Sequence, residues 1–304
     1  LASLHSIQKD AVPERSIALI RSKIDLRLGQ ILPSAQTWPV RLHEAQRHAV
    51  LAPGKRFRPL LCILTAEAAG FSGEAAVDVG CVAEIVHAAS LILDDLPCMD
   101  DAQIRRNQPT THIEFDESTA ILTATALLNR GFGILSRLKH VDAKMRIELV
   151  DILSFAVGSK GLIAGQIEDL SNDNDSVSLG EIERLNTLKT GALFDFSVEA
   201  AAILADHSAS GRAALKDFSY HLGLAFQLLD DVKDSVMSET EAGKTVGLDV
   251  GKATILALSG MDMALDRLNG YLENAKAALS RAELRGDTVI LRLLDQQFSF
   301  MPNK

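Results

Sequence analysis

Residues 91–112 read LILDDLPCMDDAQIRRNQPTTH. Four aspartates, Asp94, Asp95, Asp100 and Asp101, fall within eight residues, and two adjacent arginines, Arg105 and Arg106, follow. The apolar run Leu91–Leu93 immediately ahead ties this acidic cluster to a segment that packs in a core. A solvated acidic surface would leave the arginines unexplained. Metal ions together with an anionic ligand account for both signs of charge.

Composition narrows the setting. Of 304 residues 47% are hydrophobic but only 5% aromatic. Ala, Leu and Ile carry the apolar share, which favours helix over sheet. The formal net charge of −9 gives no support to nucleic-acid binding. It also means that an anionic substrate needs local clusters of Lys and Arg or bound cations. Cys62, Cys81 and Cys98 are irregularly spaced, which makes neither a disulfide framework nor a zinc pattern, and reduced thiols in a cytoplasmic protein are expected. No uninterrupted apolar run of 18 residues occurs, so a membrane span is not expected. The N-terminus lacks a basic region followed by an apolar block, so no signal peptide is expected.

Helical periodicity dominates the chain. It predicts helices over Pro13–Ile31, Arg56–Ala69, Glu74–Leu96, Thr119–Leu138, Ala143–Glu168, Leu179–Ala205, Gly211–Met237, Thr254–Ala278 and Asp287–Phe298. Breakers such as LPSAQTWP, APGK, GFSG, SNDNDS, HSASG and ETEAGKTVGLDVGK separate them. With no long linker and no low-complexity tract, residues 1–304 read as a single all-helical domain.

A second acidic stretch echoes the first. FQLLDDVKDSV, Phe226–Val236, again places paired aspartates at the end of an apolar helical segment. Asp230 and Asp234, four apart, share a helix face, an arrangement that costs stability unless a cation offsets the repulsion. A solvated acidic face is the bland alternative, but the preceding Leu228 and Leu229 and the twin motif argue for metal. In the first motif an unbroken helix would return Asp101 to the face of Asp94. Pro97 spoils that extrapolation, so spacing alone leaves Asp100 and Asp101 open.

Cations flank both motifs: Lys55, Arg56 and Arg58 in GKRFRP, then Arg105 and Arg106, then Lys189 beside Thr190 in LKTG, then Lys244 and Lys252. Singly these are ordinary surface charges, but together they suit diphosphate recognition. Neither GxxxxGK[ST] nor GxGxxG occurs. His87, seven residues before Asp94, shares its helix face, and Gln166 and Gln227 read either as core amides or as ligand contacts.

In order, GKRFRP, VHAASLILDDLPCMDD, RRNQPTTH, GQIEDL, LKTG, FQLLDDVKD and VGLDVGKAT resemble the motif set of trans-isoprenyl diphosphate synthases, and the bacterial geranylgeranyl and farnesyl diphosphate synthases most closely. The resemblance runs from about Gly54 to Thr254, and seven motifs in family order are specific. It departs at Asn107, where relatives carry glycine. It implies an antiparallel helical bundle around a deep cavity, a homodimer, and head-to-tail condensation of isopentenyl diphosphate with an allylic diphosphate. It implies several Mg²⁺ ions, with Mn²⁺ as a possible substitute. Their ligands would be Asp94 and Asp100 with Asp95, and Asp230 with Asp231 and Asp234. Lys55, Arg58, His87 and Arg106 would hold isopentenyl diphosphate. Arg105, Lys189, Thr190, Gln227, Lys244 and Lys252 would hold the allylic diphosphate. Asp94, Asp95, Arg105, Lys189, Asp230 and Lys244 would carry catalysis. In that family bulky residues five and four positions before the first aspartate floor the product pocket. Ala89 and Ser90 are small, which implies a twenty-carbon product and a pocket continuing past Val86 and Ile85. A fifteen-carbon product is the alternative, and a noncatalytic subunit of a heteromeric synthase is a remoter one, since both acidic motifs are retained.

Overall fold

The computed structural model describes residues 3–171, 177–236 and 254–299, with side chains from Ile17 onward. The described residues are helical apart from loops and one two-residue hairpin. The first half runs α1 (Ser3–Ile31), α2 (Val40–Leu51), α3 (Phe57–Ala69) and α4 (Glu74–Asp94), then strands β1 (Ile104–Arg105) and β2 (Gln108–Pro109), a short α5 (Thr111–Glu114) and α6 (Glu117–Leu135). The second half holds α7 (Ala143–Val157), α8 (Leu162–Ser171), α9 (Leu179–Asn186), a π-turn (Thr187–Gly191), α10 (Ala192–Leu204), α11 (Ala209–Val236), α12 (Ile255–Ser280) and α13 (Thr288–Phe298).

Helix α4 is the central post. It packs on α3, α6 and α10, with α1 and α2 on its remaining side. By length and composition it could cross a bilayer, but 72% of its most apolar window is buried within the protein. All-round apolarity is the signature of a core helix as well as of a membrane span. Helix α11 packs on α12, α10 and the π-turn and carries the second acidic motif near its C-terminal end.

Three departures from the periodicity have physical causes. Helix α2 is not foreseen because its buried face includes polar His43 and Gln46 beside Ala45 and Val50, which interrupts the apolar stripe. The expected Ala143–Glu168 helix is two, broken between Val157 and Leu162, where Gly158 and Gly161 stand. The expected Leu179–Ala205 helix starts with a capping box of Ser178 and Glu181 but widens into a π-turn at Thr187–Gly191. Turns of this kind concentrate at functional sites.

That π-turn is held by two close approaches. A Cβ on Gly165 of α8 would lie 2.6 Å from the Lys189 backbone nitrogen, and one on Gly223 of α11 would lie 3.0 Å from the Gly191 Cα. Hydrogen-only side chains let α8 and α11 grip the turn backbone directly. Gly165→Ala should therefore cost about 1–3 kcal/mol in denaturant unfolding and lower turnover by displacing Lys189. Gly180→Ala, where nothing lies within 4 Å of the new methyl, should change neither. Equal behaviour of the two variants would show that the close approach does not matter.

Candidate active site

Pro97 decides the first acidic motif. It ends α4 at Asp94, and the chain folds back so that the Asp100 N–H donates to the Asp94 carbonyl at 2.9 Å and the Asp101 N–H to the Leu96 carbonyl at 3.1 Å. The return brings the Asp100 carboxylate to bear on Asp94. Asp101 turns outward, exposed and at positive φ, and accepts a hydrogen bond from Gln103. The alternative left open by spacing is thus settled geometrically: Asp100, not Asp101, faces Asp94.

Asp94 is raised to about 6, chiefly by burial and then by the charges of Asp100 and Asp95, against the pull of Lys189 and Arg105. Asp95 is closed against Arg105, whose Nε donates to both carboxylate oxygens at 2.7 and 2.9 Å. Of the expected first-motif ligands, Asp95 therefore orients Arg105, while Asp94 and Asp100 lie within electrostatic reach of each other. Asn107 closes the hairpin that carries both arginines. Arg106 and Asn107 have φ of 54° and 61°, the pattern of a tight two-residue hairpin turn. Asparagine tolerates that left-handed backbone, so replacing the glycine of relatives keeps the turn.

The facing wall comes from the π-turn and α11. Lys189 Nζ donates to Asp169 of α8 at 2.6 Å and lies within electrostatic reach of Asp94. Thr190 Oγ1 donates to Gln227 Oε1 at 2.6 Å, and Gln227 Nε2 donates to Asp231 Oδ1 at 2.9 Å. This chain ties the turn to the second motif and fixes the Gln227 amide. Asp231 is buried, while Asp230 and Asp234 on the same helix are half-buried. Gln166 reaches the first-motif loop, its Nε2 3.5 Å from Met99 Sδ, with its Oε1 buried and unpartnered.

A cationic pocket adjoins these walls. Glu84 of α4, only 3% exposed, accepts from Arg56 Nη1 at 2.7 Å and from Arg106 Nη2 at 3.2 Å. Arg56 is fixed further by Asp25 and by the Ala52 carbonyl. Arg58 has no carboxylate partner of this kind: its guanidinium stacks 4.5 Å from the Phe194 ring centre and 5.7 Å from that of Phe226, with Nε buried and unpartnered. Burial lowers it to about 10, while the charges of Glu84 and Asp230 oppose the fall. Burial and the charges of Arg58, Arg106, Arg105 and Arg56 hold His87 well below its usual value, so its imidazole is neutral. Four arginines acting on one imidazole mark a place built for an anion. Lys55 lies exposed at the rim. Lys244 and Lys252 lie outside the described residues.

The sequence reading missed the counter-ions that shape the pocket. Glu84 stands alone in an otherwise apolar stretch three residues before His87, which was a usable signal, and Asp169 sits in the GQIEDL motif. Phe194 carried no signal. The product end also differs from expectation. Ile85, Val86 and Ala89 are 0%, 1% and 0% exposed, so the pocket does not continue past them in this structure. Gly131 of α6 allows the closure, since a Cβ there would lie only 3.1 Å from Val86 Cγ2.

The residues fit Mg²⁺. The donors are hard carboxylate oxygens, and among the described residues no three His, Cys, Asp or Glu side chains form a preformed cage. Mg²⁺ favours such open sites, where phosphate and water complete its shell. Burial holds Asp94 up despite Lys189 and Arg105 nearby, so the charged form of this carboxylate gains from a cation brought to it.

Two outcomes follow from these charges. Because Asp94 is held at about 6 against an ordinary 3.8, the folded metal-free protein keeps a proton that the unfolded chain releases. Stability from this group is present below about pH 4 and lost as pH rises through about 6. In EDTA, Asp94→Asn should raise the melting temperature at about pH 7.5 and leave it unchanged at about pH 4; a lower melting temperature at the higher pH would contradict the assignment. Glu84→Gln leaves Arg56 and Arg106 without their buried counter-ion and should cost about 3–5 kcal/mol in denaturant unfolding. A loss below about 1 kcal/mol would place these charges in solvent.

A family model for polyprenyl synthetase matches residues 39–283. The geranylgeranyl diphosphate synthase of Pseudescherichia vulneris is 39% identical over 279 residues, covering 91% of this chain and 90% of that protein. The farnesyl diphosphate synthase of Bacillus subtilis is 38% identical over 253 residues, 82% of this chain and 86% of that protein. The apo crystal structure of an FPP/GFPP synthase from Zymomonas mobilis superimposes with a TM-score of 0.82 at 36% identity, covering 95% of this chain and 98% of that one. A geranyltransferase from Helicobacter pylori, crystallised with magnesium and isoprenyl diphosphate, gives 0.83 at 29% identity over 94% and 96% of the two chains. With two acidic walls, arginines between them and these likenesses along most of its length, the chain belongs to the polyprenyl synthetase family.

Proposed function

We propose that this prenyltransferase condenses isopentenyl diphosphate head-to-tail with allylic diphosphates in the presence of Mg²⁺, with geranylgeranyl diphosphate as its product. The observation that carries the reading is the pairing of two carboxylate walls with a separate arginine pocket. One diphosphate sits between Asp94–Asp100 and Asp230 with Lys189 and Arg105 beside it. The other sits by Arg58, Arg106 and the neutral His87. Mg²⁺ held by Asp94, Asp100 and Asp230 would draw off negative charge as the allylic diphosphate departs.

The chain's own groups do the rest. Asp95 and Asp169 hold Arg105 and Lys189 in position, so their positive charge is already placed where the leaving oxygen develops negative charge. Arg58, stacked between two phenylalanines, keeps one diphosphate near an apolar lining that excludes water from the allylic cation. The isopentenyl double bond attacks that cation to leave a tertiary cation, and the carbon next to that centre loses a proton to the released diphosphate as its C–H electrons form the new double bond. His87, held neutral, donates a hydrogen bond without adding a competing charge. A homodimer agrees with the exposed Ile121 and Leu122 of α6 and Ile147 and Phe155 of α7.

Relatives making geranylgeranyl and farnesyl diphosphate match this chain almost equally, so chain length rests on α4. Ala89 and Ser90 are small but buried, so a chain longer than fifteen carbons needs the Val86–Gly131 seam to part, where an aromatic at Ala89 would block the way. Radiolabelled isopentenyl diphosphate with dimethylallyl, geranyl or farnesyl diphosphate, resolved by chain length, should give twenty carbons, shifting to fifteen in Ala89→Phe. A wild-type product of fifteen carbons would overturn the chain-length argument. Asp94→Ala and Asp230→Ala should each lower turnover about a hundredfold or more, with activity lost in EDTA. Near-normal turnover in either variant, or in EDTA, would remove the metal assignment.

A further inference from the structure

A second concavity, of about 760 Å³, lies at the opposite end of α4 from the carboxylates, where α1, the turn before α4 and the end of α6 meet. Glu74 at the first turn of α4 lines it, and Asp94 stands at the other end of that 21-residue helix, ~30 Å away at 1.5 Å per residue.

Arg130, Arg137, Lys139 and His140 line this cavity, and among the described residues none of them pairs with a carboxylate. Two of them have a local duty. Arg130 Nη2 donates to the Ile31 carbonyl at the end of α1, at 2.8 Å, and Arg137 Nε donates to the Gly133 carbonyl, at 2.9 Å. Helix-end capping of this sort explains one donor of each guanidinium. It does not explain the Arg130 Nε, which is buried and unpartnered, or the two Nη atoms of Arg137. Arg27, also at the wall, is neutralised by Asp78 at 2.6 Å. Among the described residues, Glu74 is then the one lining carboxylate not paired with an arginine, facing Arg130, Arg137, Lys139 and a histidine. In a chain of net charge −9, such a surplus around a concavity is a local field for anions.

The wall is also apolar. Ile31, Phe71, Ala75 and Ile134 line it, and a volume of this size suits a small organic ligand rather than a lone ion. Ile134 sits between Arg130 and Arg137 along the end of α6, so charge and hydrocarbon adjoin in the lining, a combination that selects an amphipathic anion. We infer that this cavity is a second, metal-independent binding site for an isoprenoid diphosphate, its phosphates on Arg130, Arg137 and Lys139 and its tail along Phe71 and Ile134. The choice of ligand rests on the prenyltransferase reading above, since that reaction keeps such molecules at hand. Of the two lining carboxylates, Asp78 is held by Arg27 and leaves only Glu74, so among the described residues no second unpaired carboxylate joins it to require Mg²⁺, which separates this site from the catalytic one.

The test is calorimetric titration of the full chain with farnesyl thiolodiphosphate, in Mg²⁺ and in EDTA. Binding of one equivalent should survive EDTA. Arg137→Glu with Lys139→Glu, both exposed side chains, should weaken it about tenfold or more while Mg²⁺-supported turnover is retained. Glu74→Gln should tighten it severalfold, a gain that structural damage would not produce. Inorganic diphosphate should bind about tenfold more weakly than the thiolodiphosphate, for want of the apolar contact. Equal affinity for the two would overturn the isoprenoid assignment. EDTA-resistant binding absent, or unmoved by the charge reversals, in a chain that turns over in Mg²⁺ would overturn the site and leave the catalytic reading standing. A chain that neither turns over nor binds the probe in Mg²⁺ or EDTA would overturn both.

Discussion

Glu84 is the carboxylate on which the anion pocket depends. Several arginines cannot share a low-dielectric pocket unless something offsets their mutual repulsion before the ligand arrives. Glu84, nearly sealed within α4, does so for Arg56 and Arg106 and acts at longer range on Arg58. Arg58 is stabilised differently, by the faces of Phe194 and Phe226. The result is a set of guanidinium groups held in place with donors still directed at an anion. Their neighbour His87 is kept neutral by the same field.

The carboxylate wall that carries Asp94 solves a complementary problem. Asp94 and Asp100 repel one another, Lys189 and Arg105 offset that repulsion, and burial still holds Asp94 above its ordinary value. Those cations are themselves anchored, by Asp169 and Asp95. Each cation therefore has a carboxylate that holds it and faces another that a metal would share. The π-turn makes the second half of this possible. By widening the helix it brings Lys189 and Thr190 to the site, and Gly165 and Gly223 let the neighbouring helices close on its backbone.

Helix α4 links these devices. Its buried sides pack against the surrounding helices, its C-terminal end supplies Asp94, its middle supplies Glu84 and His87, and its first turn supplies Glu74 at the far cavity. The same helix carries Val82 and Val86, against which Gly131 of α6 closes, and Ala89, which is fully buried. Small residues such as Gly131 let helices pack closely.

Much of the site is legible in sequence because its chemistry is dense and local. Paired aspartates after apolar runs, arginine pairs beside them and LKTG are contiguous signals, and the helical periods that carry them are strong. Even so, spacing left Asp100 and Asp101 undecided, because Pro97 redirects the chain and only the fold-back contacts to Asp94 and Leu96 choose between them. Helix α2 escaped notice because tertiary packing buries His43 and Gln46, overriding the polarity of the residues. Glu84, Asp169 and Phe194 reach the site across distances in sequence that no local pattern encodes. The residues themselves determined a helical chain with two acidic motifs and a surplus of nearby arginines. Which carboxylate neutralises which cation, and which are left for a ligand, was decided only when α3, α4, α8, α10 and α11 packed together, because charge pairing in a dry interior depends on distance in space rather than in sequence.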